Sequence, residues 1–266
     1  MTENLLVSIK AAIKAGEEIL KIYHNENFDI EIKSDDSPLT TADRNAHKII
    51  VENLSATSIP ILSEEGKNIP FVERSKWNQY WLVDPLDGTK EFIKRNGEFT
   101  VNIALIEKGI PSLGVIYVPV TKDLYFGTLE HGSYKAINQN TESFASDLNT
   151  LIQSSFKLPF VTENENYIVV GSRSHMNQET EDFINQLKSE HGEVEFISKG
   201  SSLKICMVAE GIANIYPRFA PTMEWDTGAG HAIALGAGCK VTQVDEKNPV
   251  VYNKEDLLNP WFIVKR

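Results

Sequence analysis

The chain has 266 residues, of which 41% are hydrophobic, so it is long enough to bury a sizeable core. A formal net charge of −11 argues against binding to nucleic-acid polymers, because proteins that bind them favour basic faces. The apolar runs are much shorter than the roughly 20 residues of a membrane helix, so no integral membrane segment is predicted.

The first half of the chain is predicted to combine helices with a larger number of strands. Apolar residues at helical spacing predict amphipathic helices over about 3–24 and 43–54, and a short helix follows at 89–95. Short apolar runs bounded by turn residues predict strands. The predicted strands are 59–62, 80–83, 99–106, 112–118, 124–129 and 133–137.

Strands and helices alternate in the second half. The predicted strands are 167–170, 194–197 and 213–216, and the predicted helices are 178–190, 203–210 and 227–235. This change of pattern indicates an α+β half over residues 1–150 joined to an α/β half over residues 151–266. The polar segment 138–166 is interpreted as an exposed connector, with a substrate lid as the alternative.

Two neighbouring carboxylates, Asp84 and Asp87, follow the apolar strand at 80–83. They repel each other unless a proton or a cation separates them, and Pro85 predicts that the chain turns between them. Gly88 lets the backbone approach a ligand, and Thr89 begins a helix whose free N–H groups can bind an anion. The segment therefore predicts a hard-metal site beside a phosphate site, although such a pair alone is most often a turn or a solvated charge.

Three further carboxylates lie where a strand ends or a helix begins. Glu64 follows the strand at 59–62, Asp226 opens a helix rich in small residues, and Asp43 opens the helix at 43–54. Side chains at such ends commonly carry function on a rigid scaffold. By itself, the position of Asp43 favours a helix-capping role.

The run from Trp81 to Thr89 resembles the inositol monophosphatase superfamily of Mg-dependent, lithium-sensitive phosphatases, and the resemblance covers nearly the whole chain. The continuation Lys90-Glu91-Phe92, with the segments 200–204 and 216–219, resembles the branch of bacterial 3'(2'),5'-bisphosphate nucleotidases. The resemblance implies a layered α-β-α-β-α sandwich of the inositol monophosphatase and fructose-1,6-bisphosphatase type. It also implies removal of the 3'-phosphate from adenosine 3',5'-bisphosphate by metal-activated water, giving AMP and phosphate.

The same resemblance implies roles for individual residues. Two or three Mg²⁺ ions would be held by four carboxylates and one backbone carbonyl, those of Glu64, Asp84, Leu86, Asp87 and Asp226. Gly88 and Thr89 would bind the phosphate, and Asp43 and Thr89 would orient and deprotonate the attacking water. The implied nucleotide contacts are Ser174, His175, Ser201, Lys204 and Arg218.

Alternatives remain open at this point. The chain could be an inositol or sugar phosphate monophosphatase of the same superfamily, or a silent metal- or nucleotide-binding regulator. Lys204 could instead extend along its helix to solvent, and Arg218 could form an ordinary ion pair.

A monomer in the cytoplasm is expected, with a small nucleotide bisphosphate as its partner. Loose association with the inner membrane is the alternative localisation. Cys206 and Cys239 are predicted to be buried free thiols.

Overall fold

The computed structural model describes residues 2–24, 30–32, 38–144, 147–163, 165–172 and 176–266. The helices are α1 (Thr2–Tyr23), α2 (Thr41–Leu54), α3 (Phe71–Arg74), α4 (Thr89–Ile93), α5 (Leu148–Gln153), α6 (Gln178–His191), α7 (Leu203–Glu210) and α8 (Glu224–Gly236), with a 3₁₀ helix at Ser55–Thr57. The strands are β1 (Ile30–Ile32), β2 (Pro38–Thr40), β3 (Ile61–Ser63), β4 (Gln79–Asp87), β5 (Thr100–Glu107), β6 (Ile110–Val118), β7 (Asp123–Thr128), β8 (Gly132–Ala136), β9 (Phe156–Lys157), β10 (Tyr167–Gly171), β11 (Val194–Ser198), β12 (Ile215–Arg218), β13 (Lys240–Gln243) and β14 (Phe262–Lys265).

The larger sheet has seven strands in the order β3-β4-β5-β6-β7-β8-β9, and the smaller has five in the order β11-β10-β12-β14-β13. Among the described strands of the larger sheet, only the β3–β4 pair is parallel, and it places the carboxyl ends of these two strands at one edge. A separate two-stranded ribbon pairs β1 with β2.

Alternating side chains bury both faces of the larger sheet. Trp81 and Val83 of β4 pack with α1 and α2, whereas Tyr80 and Leu82 pack into the core shared with α7, α8 and the second sheet. The other face of the second sheet packs against α6. The layers are therefore α-β-α-β-α, and the predicted fold class is confirmed.

Helix α8 lies unusually close to the larger sheet. A Cβ atom added at Gly228 would lie 2.9 Å from Leu82 Cδ2, so the small side chain permits this approach. The small residues noted in the sequence of this helix thus lie against the sheet. Cys206 and Cys239 are buried free thiols, as predicted.

The predicted turn at Asp84 and Pro85 is wrong. Strand β4 continues to Asp87. Asp84 pairs with Asn102 of β5 and Asp87 pairs with Thr100, so β4 has one more residue than β5 between these two pairs. This is a β-bulge, a place where a strand tolerates proline despite its missing N–H. The bulge bends the strand at the point where its two carboxylates emerge.

Other differences concern short elements. The strand predicted at 213–216 is found at Ile215–Arg218, and the strands β1, β2, β9, β13 and β14 were not predicted. The segment predicted to be a connector contains the short elements α5 and β9, and β9 pairs with β8 at the edge of the larger sheet. The division of the chain near residue 150 stays a prediction.

Candidate active site

Five carboxylates form one electrostatic cluster around the bulge of β4. Asp84 is buried, with 1% of its surface exposed. Burial is the main cause that raises the pKa of Asp84 well above its usual range, followed by the negative charges of Glu64, Asp87, Asp226 and Asp43. The structure therefore brings together the carboxylates that the sequence placed in four separate segments.

The topology explains why these segments meet. Glu64 directly follows β3, and its N–H donates to the carbonyl of Val83 at 3.1 Å, which holds it beside the end of β4. Asp43 lies in the first turn of α2, which packs on β4, and is 1% exposed. Asp226 lies in the first turn of α8.

Asp226 completes the start of its own helix. Its Oδ2 accepts a hydrogen bond from the N–H of Met223 at 2.9 Å. Burial, and then the charge of Asp87, raise the pKa of Asp226 to about 8, although the Met223 bond acts in the opposite direction. Without a cation, this carboxylate is therefore poorly stabilised in its charged form.

A polar network holds Asp87 from the opposite side of the site. The Oγ atoms of Ser201 and Ser202 lie 2.5 and 2.9 Å from Asp87 Oδ2, and Asn102 Nδ2 donates to the same oxygen at 3.4 Å. Asn102 also donates to Ser202 Oγ at 2.9 Å, and Thr100 Oγ1 lies 2.7 Å from Ser201 Oγ. These contacts fix one oxygen of Asp87.

Sequence reasoning missed Asn102 and Thr100, and it assigned Ser201 only to the nucleotide. Both β5 residues lie within a run that predicts an ordinary buried strand. Their one signal was polarity: amide and hydroxyl side chains interrupt an apolar strand directly opposite Asp84 and Asp87. Buried polar groups require partners, so this register could have identified them once the pairing was known.

The predicted phosphate site lies at the junction of β4 and α4. Gly88 has φ +92°, a left-handed conformation that favours glycine, and it precedes the first residue of α4. Thr89 Oγ1 lies 3.5 Å from the carbonyl oxygen of Leu86. The Leu86 N–H donates to Asp84 Oδ1 at 3.1 Å, which orients the bulge. The phosphate and metal roles of these groups stay predictions.

A cavity of about 120 Å³ opens beside the cluster. Its lining includes three acidic residues, Asp87, Glu91 and Asp226, and three basic residues, Lys90, Lys204 and Arg218. An anionic ligand with two charged groups would meet both basic side chains and carboxylates of the cluster in this cavity. Ser201 also lines this cavity.

Lys204 does not extend along its helix to solvent, because only 6% of its surface is exposed. Its Nζ donates to the carbonyl oxygens of Ser201 and Lys199 at 2.5 and 3.3 Å. Burial is the main cause that lowers the pKa of Lys204 to about 8, against the opposing charge of Asp87. The Arg218 guanidinium donates to the carbonyl of Pro221 at 2.8 Å.

Two predicted nucleotide contacts, Ser174 and His175, lie outside the described residues. Their assignment stays a prediction, as does the nucleotide role of Ser201, Lys204 and Arg218.

The donor set suits hard divalent cations. Mg²⁺ prefers carboxylate and carbonyl oxygens, and the raised pKa values of Asp84 and Asp226 show the repulsion that a cation would relieve. Among the described residues, no group of three or more His, Cys, Asp or Glu side chains is arranged to hold a metal as it stands. Within the same ranges, no helix is both long and apolar enough to cross a bilayer.

Comparison with known proteins agrees with this geometry. The sequence profile of the inositol monophosphatase family matches residues 1–261. The 3'(2'),5'-bisphosphate nucleotidase CysQ of Salmonella typhimurium is 46% identical over 256 residues, which is 95% of this chain and 96% of the relative. The protein of that name from Escherichia coli K12 is 45% identical over 258 residues, with the same coverage.

Solved structures show the same relation. CysQ from Bacteroides thetaiotaomicron, described as a bacterial member of the inositol monophosphatase family, superposes with a TM-score of 0.93 at 55% identity, covering 100% of this chain and 97% of that one. SuhB from Bartonella henselae, at 22% identity and a TM-score of 0.75, covers 100% of this chain and 94% of its own and shares the fold.

The chain therefore belongs to the inositol monophosphatase family. Members of this family are generally Mg-dependent phosphatases. The predicted superfamily and the predicted class of enzyme, a phosphatase, are confirmed. Within the family, the relatives from Salmonella typhimurium and Escherichia coli K12 carry the name of the nucleotidase branch that the sequence motifs indicated.

Proposed function

We propose that the chain is a Mg-dependent 3'(2'),5'-bisphosphate nucleotidase that hydrolyses adenosine 3',5'-bisphosphate to AMP and phosphate. The observation that carries the proposal is the buried carboxylate cluster, which shares a cavity with Lys204 and Arg218. The names of the CysQ relatives support this choice of substrate.

The cation ligands would be the carboxylates of the cluster. Glu64, Asp84 and the Leu86 carbonyl would hold one ion, and Asp84, Asp87 and Asp226 a second, with Glu64 also near a third. Bound Mg²⁺ neutralises charge on the phosphate and makes water a stronger nucleophile. The hydrogen bonds to Asp84 Oδ1, Asp87 Oδ2 and Asp226 Oδ2 would orient these carboxylates for cation binding.

Asp43 and Thr89 would orient the attacking water and accept its proton. Asp43 is buried beside Asp84, and Thr89 begins the helix that follows the bulge. Attack forms a new P–O bond and breaks the bond between phosphorus and the 3'-oxygen, which takes a proton and leaves as the hydroxyl of AMP. Gly88 and Thr89 would bind the transferred phosphate through their N–H groups.

Basic residues of the cavity would bind the second phosphate of the substrate. Arg218 and Lys204 supply charge there, and Ser201, Ser174 and His175 would complete the nucleotide contacts. A monophosphate such as inositol 1-phosphate has no second phosphate for these cations. This difference favours the nucleotidase over the inositol or sugar phosphate monophosphatase alternative.

A panel assay of phosphate release separates the possibilities. Purified protein is given adenosine 3',5'-bisphosphate, inositol 1-phosphate and fructose 1,6-bisphosphate, each with Mg²⁺ or with EDTA. We expect the highest kcat/KM for the nucleotide and no turnover in EDTA. Preference for inositol 1-phosphate would identify the monophosphatase alternative, and Mg²⁺ binding without any turnover would identify the silent regulator.

Other expectations extend this proposal. Activity should be inhibited by lithium, which the same assay measures with LiCl and NaCl as matched salts. We also propose a monomer in the cytoplasm, with loose association with the inner membrane as the alternative. Sedimentation and cell fractionation test these two points.

A further inference from the structure

The loop at residues 199–202 connects β11 to α7 and faces the carboxylate cluster. We call it the β11–α7 loop. Through the hydroxyls of Ser201 and Ser202 it contacts Asp87, which belongs to the other sheet. Its carbonyl groups at Lys199 and Ser201 accept hydrogen bonds from Lys204. The position of this loop therefore affects both a proposed cation ligand and a proposed phosphate-binding cation.

Glu98, which lies two residues before β5 of the larger sheet, makes a second set of contacts with this loop. Its Oε2 accepts a hydrogen bond from the Gly200 N–H at 2.9 Å, and its Oε1 lies 3.1 Å from Lys199 Nζ. The side chain of Glu98 is 19% exposed, against 38% for Lys199. A charged acceptor to a backbone N–H is a strong hydrogen bond, particularly where solvent is partly excluded.

The backbone of Glu98 also packs tightly against the two glycines that flank the site. A Cβ atom at Gly200 would lie 2.9 Å from the Glu98 carbonyl oxygen and 3.0 Å from Glu98 Cβ. A Cβ atom at Gly88 would lie 3.3 Å from the same carbonyl oxygen. Glu98 thus lies between the start of the predicted phosphate site and the start of the β11–α7 loop.

We propose that Glu98 is a positioning residue: it holds the β11–α7 loop so that the serines orient Asp87 and the loop carbonyls orient Lys204. The inference rests on the proposed function, because it needs Asp87 to bind a cation and Lys204 to bind substrate. Glu98 itself touches neither. Hydrogen-bond partners of metal ligands, here Ser201 and Ser202, typically affect metal affinity by about 10–100-fold, and Glu98 would act through them at the lower end of this range.

The test compares E98A and E98D with wild type. Because E98D keeps the charge but withdraws the carboxylate by one methylene, it remains informative if E98A does not fold. By calorimetry, we expect the dissociation constant for Mg²⁺ to rise about tenfold in E98A and at least about threefold in E98D. KM for adenosine 3',5'-bisphosphate should rise by similar factors.

Two further variants separate the contacts of Glu98. K199M removes the ion pair but keeps the bond to Gly200, and its effect should be smaller because the pair is partly exposed. E246Q breaks a surface ion pair with Lys265 and serves as the matched control, with wild-type behaviour expected. Folded E98A or E98D with wild-type Mg²⁺ affinity and KM would overturn the proposal.

Amide hydrogen exchange of the cation-free protein gives a readout that does not depend on activity. The Gly200 amide should exchange about tenfold faster in E98A than in wild type or E246Q, because its acceptor is lost. Unchanged protection in E98A would overturn the role of Glu98 even if the enzyme is active. A wild-type protein that binds no Mg²⁺ contradicts the proposed function instead, and the exchange result still decides whether Glu98 holds the loop.

Discussion

Asp43 lies in the first turn of an amphipathic helix, yet only 1% of its surface is exposed, and its charge acts on Asp84. A carboxylate that only stabilises the helix start can do so while exposed to solvent, which avoids the free-energy cost of burying its charge. The location therefore favours the role of general base, although an acidic residue in the first turn also stabilises a helix.

Asn at position 43 separates these two roles. It keeps the size and one accepting oxygen of Asp and loses only the first-turn charge, worth about 0.3–1 kcal/mol, but it cannot accept a proton from water. We expect Asp43→Asn to lower kcat by about 10²–10⁴-fold while Mg²⁺ and substrate binding are retained. Steady-state kinetics at saturating Mg²⁺ measure this. Thr89→Val provides the comparison: if the two residues act together, the double variant loses less than the product of the single losses. A near-normal kcat of the Asp43→Asn variant would show that Asp43 has only a structural role.

The buried position of Lys204 destabilises the charged form of its side chain. Burial lowers its pKa to about 8, so the ammonium of the substrate-free enzyme loses its proton as the pH rises through this value. A substrate phosphate would then meet a neutral amine.

We expect KM for adenosine 3',5'-bisphosphate to rise between pH 8 and 9 in the wild type, since binding must then recover the proton. Lys204→Met should raise KM by about tenfold or more at pH 7 with a smaller change in kcat. Lys204→Arg keeps the charge at every pH and should flatten the pH dependence of KM. A loss confined to kcat in Lys204→Met would place Lys204 outside the substrate site.

Residues that follow an apolar run could be recognised from the sequence, whereas residues that meet only in the folded protein could not. Glu64, Asp84 and Asp87 each follow an apolar run, which local patterning shows. Ser202 contacts Asp87 and Asn102 over separations of 115 and 100 residues. Nothing local to Ser202 distinguishes it from a helix-start serine, so its role required the tertiary structure.

At the scale of whole elements, the long periodic segments were predictable. Helix α7 was predicted at Leu203–Glu210 and is found there, because its apolar residues repeat at helical spacing and Gly211 ends it. The bulge of β4 was not predictable, since Pro85 normally signals a turn and only the pairing with β5 shows that the strand continues. Strands β13 and β14 are four residues each and are specified by their partners rather than by their own pattern.

Helix α8 carries Asp226 and is anchored at its first residue by Glu224. This side chain is fully buried and accepts hydrogen bonds from the N–H groups of Asn253 and Lys254 at 2.7 and 3.1 Å, and from Lys254 Nζ at 2.5 Å. One carboxylate thus satisfies three donors of the segment that precedes β14. Its charge is what allows so many donors to share it.

Glu224→Ala should lower the free energy of unfolding by about 3–5 kcal/mol, because it leaves buried donors and a partly buried ammonium without their acceptor. Glu224→Gln keeps one acceptor and should cost less. Lys254→Met removes only the cation, so it should cost less than Glu224→Ala, and urea denaturation ranks the three variants. Equal stability of Glu224→Ala and wild type would show that the helix start is anchored by other contacts.

At the scale of the whole molecule, the five layers converge on a site whose charge the fold alone does not balance. The chain carries a net charge of −11, and burial concentrates five carboxylates at the edge shared by β3 and β4. An anionic substrate would be repelled by this field. Cations bound to the cluster would reverse the local sign, which links substrate binding to metal binding through charge.

The same repulsion makes the stability of the cation-free protein depend on pH. The pKa of Asp226 is raised to about 8 in the folded protein, against 3.8 for the ordinary group, so the folded state binds more protons between these values. Stability from this group is therefore present at low pH and is lost as the pH rises towards 8. Asp84 acts in the same direction.

The effect of these carboxylates on stability is best measured between pH 6.5 and pH 8. Below this range, His231, whose pKa is lowered to about 3 by burial, destabilises the fold as the unfolded chain takes up a proton.

In EDTA, we expect the free energy of unfolding to fall by about 1–2 kcal/mol from pH 6.5 to pH 8. Saturating Mg²⁺ should raise stability at both pH values and more at pH 8, because bound cations replace the protons. Asp226→Asn should remove much of the fall in EDTA, and urea titrations of both proteins at the two pH values measure it. A wild-type curve in EDTA that is flat across this window would show that the carboxylates do not repel one another as their burial requires.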